Sequence, residues 1–510
     1  MGKILDMYGR KIRPKNEGFT AASSKRSLAG WLYDDSDSDS TSAYDLARLR
    51  GRSRDLYRNT PAATSAVNRN VDNVLGSGLI LQAQVNRDIL GLSDDEADAW
   101  ETDVENRFDA WASSNLCDLT EHENFYDLQS QAYRAMLLSG DSFTLPVIKA
   151  NPNLYGELRL AVYEGDYVCN PGGGMDTEKL VQGIELGADS NPIAYHFANK
   201  HPNGRYLPTA WERVNKYGTR SKRLQCIHLF ERKRPGQHRG IPFLTPVIDS
   251  IKQLGRYTEA EITAAVISAF FTVFIKQNPN KSGDIFEQGV PEAQRVSSDS
   301  STYEMGNGNI VGLDPNEEPV FADPKRPNPV FDSFSQAFSK IIGSALDIPG
   351  EVISMQFNSS YSAARAALLQ AWTTFRKRRT FDARYWCNPI YELWLELEVI
   401  NSRVKAPGYL DNPLLRKAWA GSDWVGPGMG MIDPVRETTA ALLRIAGKLS
   451  NHEKEFTKID GGDWLGTAKV LARENKTLTK IGLAGGPDME GLIQLATEIS
   501  KTNPDQVGNL

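Results

Sequence analysis

Six histidines are spread through 510 residues, and none stands at a spacing that would put two imidazoles on one metal. His122-Glu123 opens like the helical zinc motif whose second histidine comes four residues after the first, but Tyr126 holds that position. The P-loop pattern GxxxxGK(S/T) is absent, which argues against nucleotide hydrolysis by that route. GNGNIVG at 306 has one residue too many for GxGxxG, glycines 172–174 read as a loop, and no GxSxG elbow occurs. Carboxylates are plentiful, and one sequence cannot single out a catalytic pair. The expectation is a chain that is not an enzyme and needs no cofactor or metal.

What remains is binding chemistry. FNSSYSAARAALLQAWTTFRKRR, residues 357–379, sets a polar run before a helical pattern that ends in Arg376, Lys377, Arg378 and Arg379. Four consecutive cations spread round a helix instead of forming one stripe. They can be read as a solvated helix end favoured by the C-terminal dipole, as DNA contacts, or as contacts between subunits. A second basic stretch, 211–240, holds nine Lys or Arg against two Glu and fits either a solvated strand edge or a binding surface. Formal net charge is −6, so nothing global favours tight nucleic-acid binding.

Hydrophobic residues make up 40% and charged residues 24%, a globular balance. No apolar run approaches the roughly 20 residues that cross a bilayer, and MGKILDMYGRKIR lacks a secretory core, so a cytosolic start is expected. Cys117, Cys169, Cys226 and Cys387 lie far apart and read as free, buried thiols.

The elements that must position these residues are mixed. Residues 1–45, basic and then acidic (DDSDSDSTS at 34–42), read as a solvated tail or as an arm that orders on a neighbour. Helical patterns follow from 46 to 76 and from 95 to 139, then short β-type runs to about 232. Thr245-Pro246 opens the longest helical pattern, to about 276, a strut more than a core helix. Residues 277–326 carry nine acidic residues against four basic ones, with a hairpin expected about Asp314-Pro315-Asn316-Glu317. A second helix from Asn328-Pro329 has Phe331, Phe334, Phe338, Ile341, Ile342 and Ala345 on one stripe and ends at Ile348-Pro349-Gly350. Ser362 is the expected cap of a helix to about Tyr385, interrupted by Pro389, and small helices close the chain. The class is α+β.

Four segments in order resemble the lambda-type family of tailed-bacteriophage portal proteins. They are RDLYRNTPAATSAVNRNVDNVLGSGLILQ, RPGQHRGIPFLTPVIDSIKQL, YSAARAALLQAW, and AWAGSDWVGPGMGMIDPVRE with the following SNHEKEF. The likeness runs from about 46 to 475.

The resemblance implies an elongated portal-type subunit. Its parts would be an arm (1–45), a wing (46–242 and 386–432), two stem helices (243–276 and 327–349) and a small β clip (277–326). A tunnel loop (350–361, polar over 354–361), the tunnel helix (362–385), and a crown with tail (433–510) complete it. Usually twelve copies ring one capsid vertex and pass double-stranded DNA without sequence specificity, at packaging and at ejection. The implied DNA-facing residues are Gln356, Asn358, Ser359, Ser360 and Tyr361, neutral groups that touch phosphate without holding it. Arg376 to Arg379 would meet DNA or a neighbouring subunit. Asp314, Asn316, Glu317 and Glu318 would lie on the clip that docks the terminase large subunit and later a head-completion or adaptor protein. The shell side would meet the major capsid protein or scaffold, with no membrane involved. The chain would sit in host cytoplasm before assembly and in the virion afterwards. The competing reading is another oligomeric DNA-binding or scaffold protein that uses 211–240.

Overall fold

The computed structural model describes residues 30, 32–153, 155–269, 273–275, 310–312, 331–356, 360–430, 434–459, 462 and 464–480. The chain is α+β. Its first described helix, α1 (Ser38–Ala43), lies inside the acidic run and is capped by Asp37, whose carboxylate accepts from the Ser40 amide. This corrects the reading of 34–45 as part of a solvated tail. Then come α2 (Leu46–Asn59), α3 (Pro61–Val74), β1 (Ile80–Ala83), α4 (Arg87–Leu90), α5 (Asp94–Ala112) and α6 (Phe125–Ser139). Pro61 opens α3 where its missing N–H costs nothing, and Ser93 with Glu96 forms a capping box on α5.

The β part follows as β2 (Asp141–Ile148), β3 (Leu158–Glu164), β4 (Leu180–Val181), β5 (Ile184–Leu186), β6 (Pro192–Ala198), β7 (Trp211–Asn215) and β8 (Ile227–Phe230). One antiparallel sheet has the order β3-β2-β8, and a second has β4-β5-β6-β7. Phe143, Ile184, Tyr195, Phe197 and Cys226 pack in one buried cluster drawn from both sheets.

A turn at Thr245–Val247 leads into α7 (Ile248–Ala269). The helix is shorter than the pattern that reached 276: 22 residues, or roughly 33 Å. Beyond it Val273–Ile275 forms β9, because β-branched and aromatic side chains in Thr-Val-Phe-Ile suit a strand better than a helix. Its partner is β10 (Ile310–Gly312), paired in parallel. The hairpin expected about Asp314-Pro315 lies outside the described residues, as do residues 276–309 and 313–330.

The chain resumes in α8 (Phe331–Leu346), ended by left-handed Asp347, and α9 (Gly350–Ser354). Next are α10 (Tyr361–Asp382), one π turn (Ala383–Cys387) and α11 (Asn388–Ile400). Pro389 was expected to interrupt the helix and does not. The widened turn accommodates it, with the Asn388 amide bonded five residues back to Ala383, and helical backbone angles run through the joint. The rest is α12 (Pro413–Trp419), β11 (Ser422–Val425), α13 (Pro434–Ala446), α14 (His452–Ile459) and α15 (Trp464–Lys480).

β11 pairs antiparallel with β1, so residues 80–83 and 422–425 share a ladder across more than three hundred residues of chain. The main core unites α3, α5, α6, α10 and α11. Its centre is aromatic. Phe108 meets Phe125 edge-on at 5.3 Å and Trp394 at 5.1 Å, while Phe125 stacks on Trp386 at 5.2 Å. Among the described residues, no helix is long and apolar enough to cross a membrane.

Candidate functional site

The polar run before α10 is shorter than the 350–361 loop expected. Residues 350–354 are helical, Met355 takes a left-handed conformation that ends α9, and Ser360, not Ser362, caps α10. Only the stretch from Met355 to Ser360 separates the two helices. Gln356 and Ser360 are exposed; Asn358 and Ser359 lie outside the described residues, and Tyr361 is the first residue of the helix. Asp314, Asn316, Glu317 and Glu318 also lie outside them.

Both ends of this short connection are anchored. Ser65 on α3 donates to the Ile353 carbonyl at 2.7 Å, and Arg365, one turn into α10, pairs with Glu437 on α13. The helix ends that flank it are thus tied to α3 and α13.

The four cations at the other end of α10 are not equivalent. Arg378 donates to the Leu346 carbonyl at 3.1 Å and lies over the Phe243 ring. Arg379 donates to the carbonyls of Asn73, Val74 and Pro427 and packs over Trp372. Each arginine therefore neutralises the C-terminal carbonyls of a different helix, α8 for the first and α3 for the second. Burial, with Arg376 nearby, lowers the Arg379 guanidinium to about 10, so it stays charged near neutral pH. These two are taken up inside the subunit, whereas Arg376 and Lys377 remain exposed.

The basic stretch 211–240 is also partly covered. The Asp39 carboxylate lies 2.6 Å from His238 Nδ1 and accepts from the His238 amide at 3.0 Å. Arg234 donates to the Ser36 carbonyl at 3.0 Å. The acidic segment 34–39 thus folds back on its own chain, which leaves less of that surface for another ligand.

Among the described residues, one group could bring three ligand atoms together: Glu164, Asp166 and His201, within 4.8 Å of one another. The Arg54 guanidinium bonds Asp166 and lies 3.7 Å from Glu164, so a cation already occupies this cluster.

Comparison with known proteins fixes the context. A sequence model described as "Phage portal protein, lambda family" matches residues 24–379. The chain belongs to the lambda family of phage portal proteins. The portal protein of Escherichia phage N15 is 22% identical over 497 residues, covering 94% of this chain and 93% of that protein. Portal protein B of Escherichia phage lambda is 22% identical over 474 residues, covering 89% and 88%. Among solved structures, the neck of a native gene transfer agent particle computed with C12 symmetry aligns at TM-score 0.40 and 14% identity, covering 81% of this chain and 92% of that one. The virion of a native gene transfer agent particle aligns at 0.41 and 15%, covering 81% and 93%. The role of a portal protein is structural, at the portal of the capsid, and portal proteins are part of the virion particle.

In this portal chain the segments that carry the family likeness do structural work. Arg239 of the GQHRG run is buried, with Nε 2.6 Å from Asp141 and further donations to the carbonyls of Val168, Gln182 and Gly165. Arg50 approaches the same carboxylate at 2.7 Å. Burial pushes the Asp141 carboxyl up, but the two guanidiniums and His228 outweigh it and hold the group well below the usual carboxylate range. Gly240 has no alternative in this motif: a Cβ there would lie 1.8 Å from the Gly140 carbonyl. Gln237 closes the loop, accepting from the Lys233 and Arg234 amides and donating to the Arg239 carbonyl. Sequence reasoning missed Asp141 as the centre of this network. The signal was two arginine-rich segments about 190 residues apart, each unexplained by local structure.

Proposed function

We propose that copies of this chain close a ring, usually of twelve, about a channel for double-stranded DNA at one capsid vertex. The observation that carries this reading is the family match across residues 24–379. The α7–α8 pair supports it. Tyr257 packs on Phe331 and Phe334 and joins the two helices, yet Ile262, Val266 and Ile341 stay exposed. A neighbouring copy would cover that apolar surface.

In the ring, Gln356, Asn358, Ser359, Ser360 and Tyr361 would face the duplex. Neutral hydrogen-bonding groups touch phosphates without the counterion release that tightens cationic contacts, so DNA can slide. Arg376 and Lys377 are the members of the cationic run left for a neighbouring subunit. Residues 277–326 would dock the terminase large subunit during packaging and a head-completion or adaptor protein afterwards. The wing would meet the major capsid protein or scaffold, and the unassembled chain would reside in host cytoplasm.

The double substitution Asn358→Lys, Ser359→Lys tests the loop. Packaged DNA per particle should fall while ring formation persists. Normal packaging by that variant would remove the loop from the mechanism.

A further inference from the structure

The joint between α10 and α11 holds a group that the portal role does not use. Asp382 is fully buried at the last residue of α10, directly before the π turn. Its Oδ1 has no hydrogen-bond partner, and its Oδ2 receives only the Cys387 thiol, at 3.7 Å across the turn. Next to it the Trp386 indole donates to Thr144 on β2 at 2.9 Å. Of the elements packed here, α6 carries Tyr126, Asp127, Tyr133 and Arg134, and Tyr133, raised chiefly by burial, also feels the Asp382 charge; β8, packed on the turn, carries His228. Arg378 and Arg379 on α10 spend their guanidiniums on carbonyls elsewhere, and Asp141 is held by its own arginines. Exposed Arg384 and Tyr385 lie in the turn itself.

We propose that the π turn at Ala383–Cys387 is a proton-controlled hinge, with the Asp382 carboxyl as the group that sets it. A π turn holds one residue more than the α-helix around it, so an opened joint would change the direction in which α10 meets α11. Pro389 has no N–H to donate back into the turn, so the joint carries one backbone bond fewer than a continuous helix. A neutral carboxyl tolerates this dry site, whereas a carboxylate with an unpartnered oxygen does not. Loss of the proton therefore favours an opened joint in which Asp382 reaches water. Burial raises this carboxyl to about 7, which puts the transition near neutral pH. Because α10 begins at the loop of residues 355–360, the proton would change the angle at which that loop is held. The inference stands on the joint itself and holds whether or not the loop faces DNA.

The test uses the full chain. Amide exchange across 380–388, corrected for its intrinsic pH dependence, should quicken by up to about tenfold per pH unit between about pH 4 and 7 and level off above that. In Asp382→Asn it should stay slow at every pH. Infrared difference spectra give a second readout: a buried protonated-carboxyl band lost near pH 7 in the parent and absent from both Asp382→Asn and Asp382→Ala. Should the variants fail to fold, the parent's carboxyl band and exchange profile still decide. Exchange that does not depend on pH, or a carboxyl already ionised at pH 5, would overturn the hinge.

Discussion

Arg239 Nε lies 2.6 Å from Asp141 Oδ2, and both side chains are buried. With Arg50 the pair links α2, β2 and the segment before α7, three pieces that are remote in sequence. Removing one partner of a buried charged set strands the others, at a cost of about 3–5 kcal/mol. Arg239→Met is expected to lower unfolding stability by that amount in urea titrations. A change under about 0.5 kcal/mol would show that the network is not holding these pieces together.

The same pair predicts an acid dependence. The folded-state value of Asp141 is depressed, so its contribution is present above the unfolded value near 4 and is lost as pH falls below it. The stability gap between parent and Asp141→Asn should therefore shrink from pH 7 to pH 3. Asp382 runs the other way: its folded-state value is raised, so its penalty grows as pH climbs from about 4 to 7. Asp382→Asn should gain on the parent over that interval, and a gap that stays level would contradict the buried, unpaired carboxyl.

The arginine run separates by position. Arg379→Ala removes donors to three carbonyls and should cost about 2–4 kcal/mol, since bonds to a charged donor run at about 1.5–3 kcal/mol each and are not additive. Exposed Arg376→Ala should stay within about 0.5 kcal/mol. Equal losses at both positions would mean that the C-terminal end of α3 does not depend on Arg379.

The acidic segment gives a proteolytic prediction. Asp39→Ala loses the contacts to the His238 amide and ring, so cleavage within 32–45 should accelerate while the core resists. An unchanged cleavage rate would show that this contact does not hold the segment down.

Much of the fold was legible because local signals agreed with it. The helical patterns over 46–76 and 95–139 and the apolar stripe on α8 each announced helices by their periodicity. The end of α7 was less legible, since apolar periodicity continues into a run whose strand preference prevails. Pro389 misled for a related reason: a single π turn absorbs a proline that an α-helix would reject. The acidic run at 34–39 looked solvated because its partners, Arg234 and His238, lie about 200 residues away. As for the site, Gln356 and Ser360 are exposed between α9 and α10, while Arg378 and Arg379 turn inward. Nothing in four consecutive cations distinguishes the two that find helix C-termini.

The central claim is that this chain builds a ring. Light scattering and electron micrographs of one purified fraction, taken with and without the capsid scaffold, test it most directly. Channel-bearing rings with a mass near twelve subunits are expected in at least one of the two conditions. A compact monomer or dimer in both, gripping DNA with strong salt dependence, would contradict it.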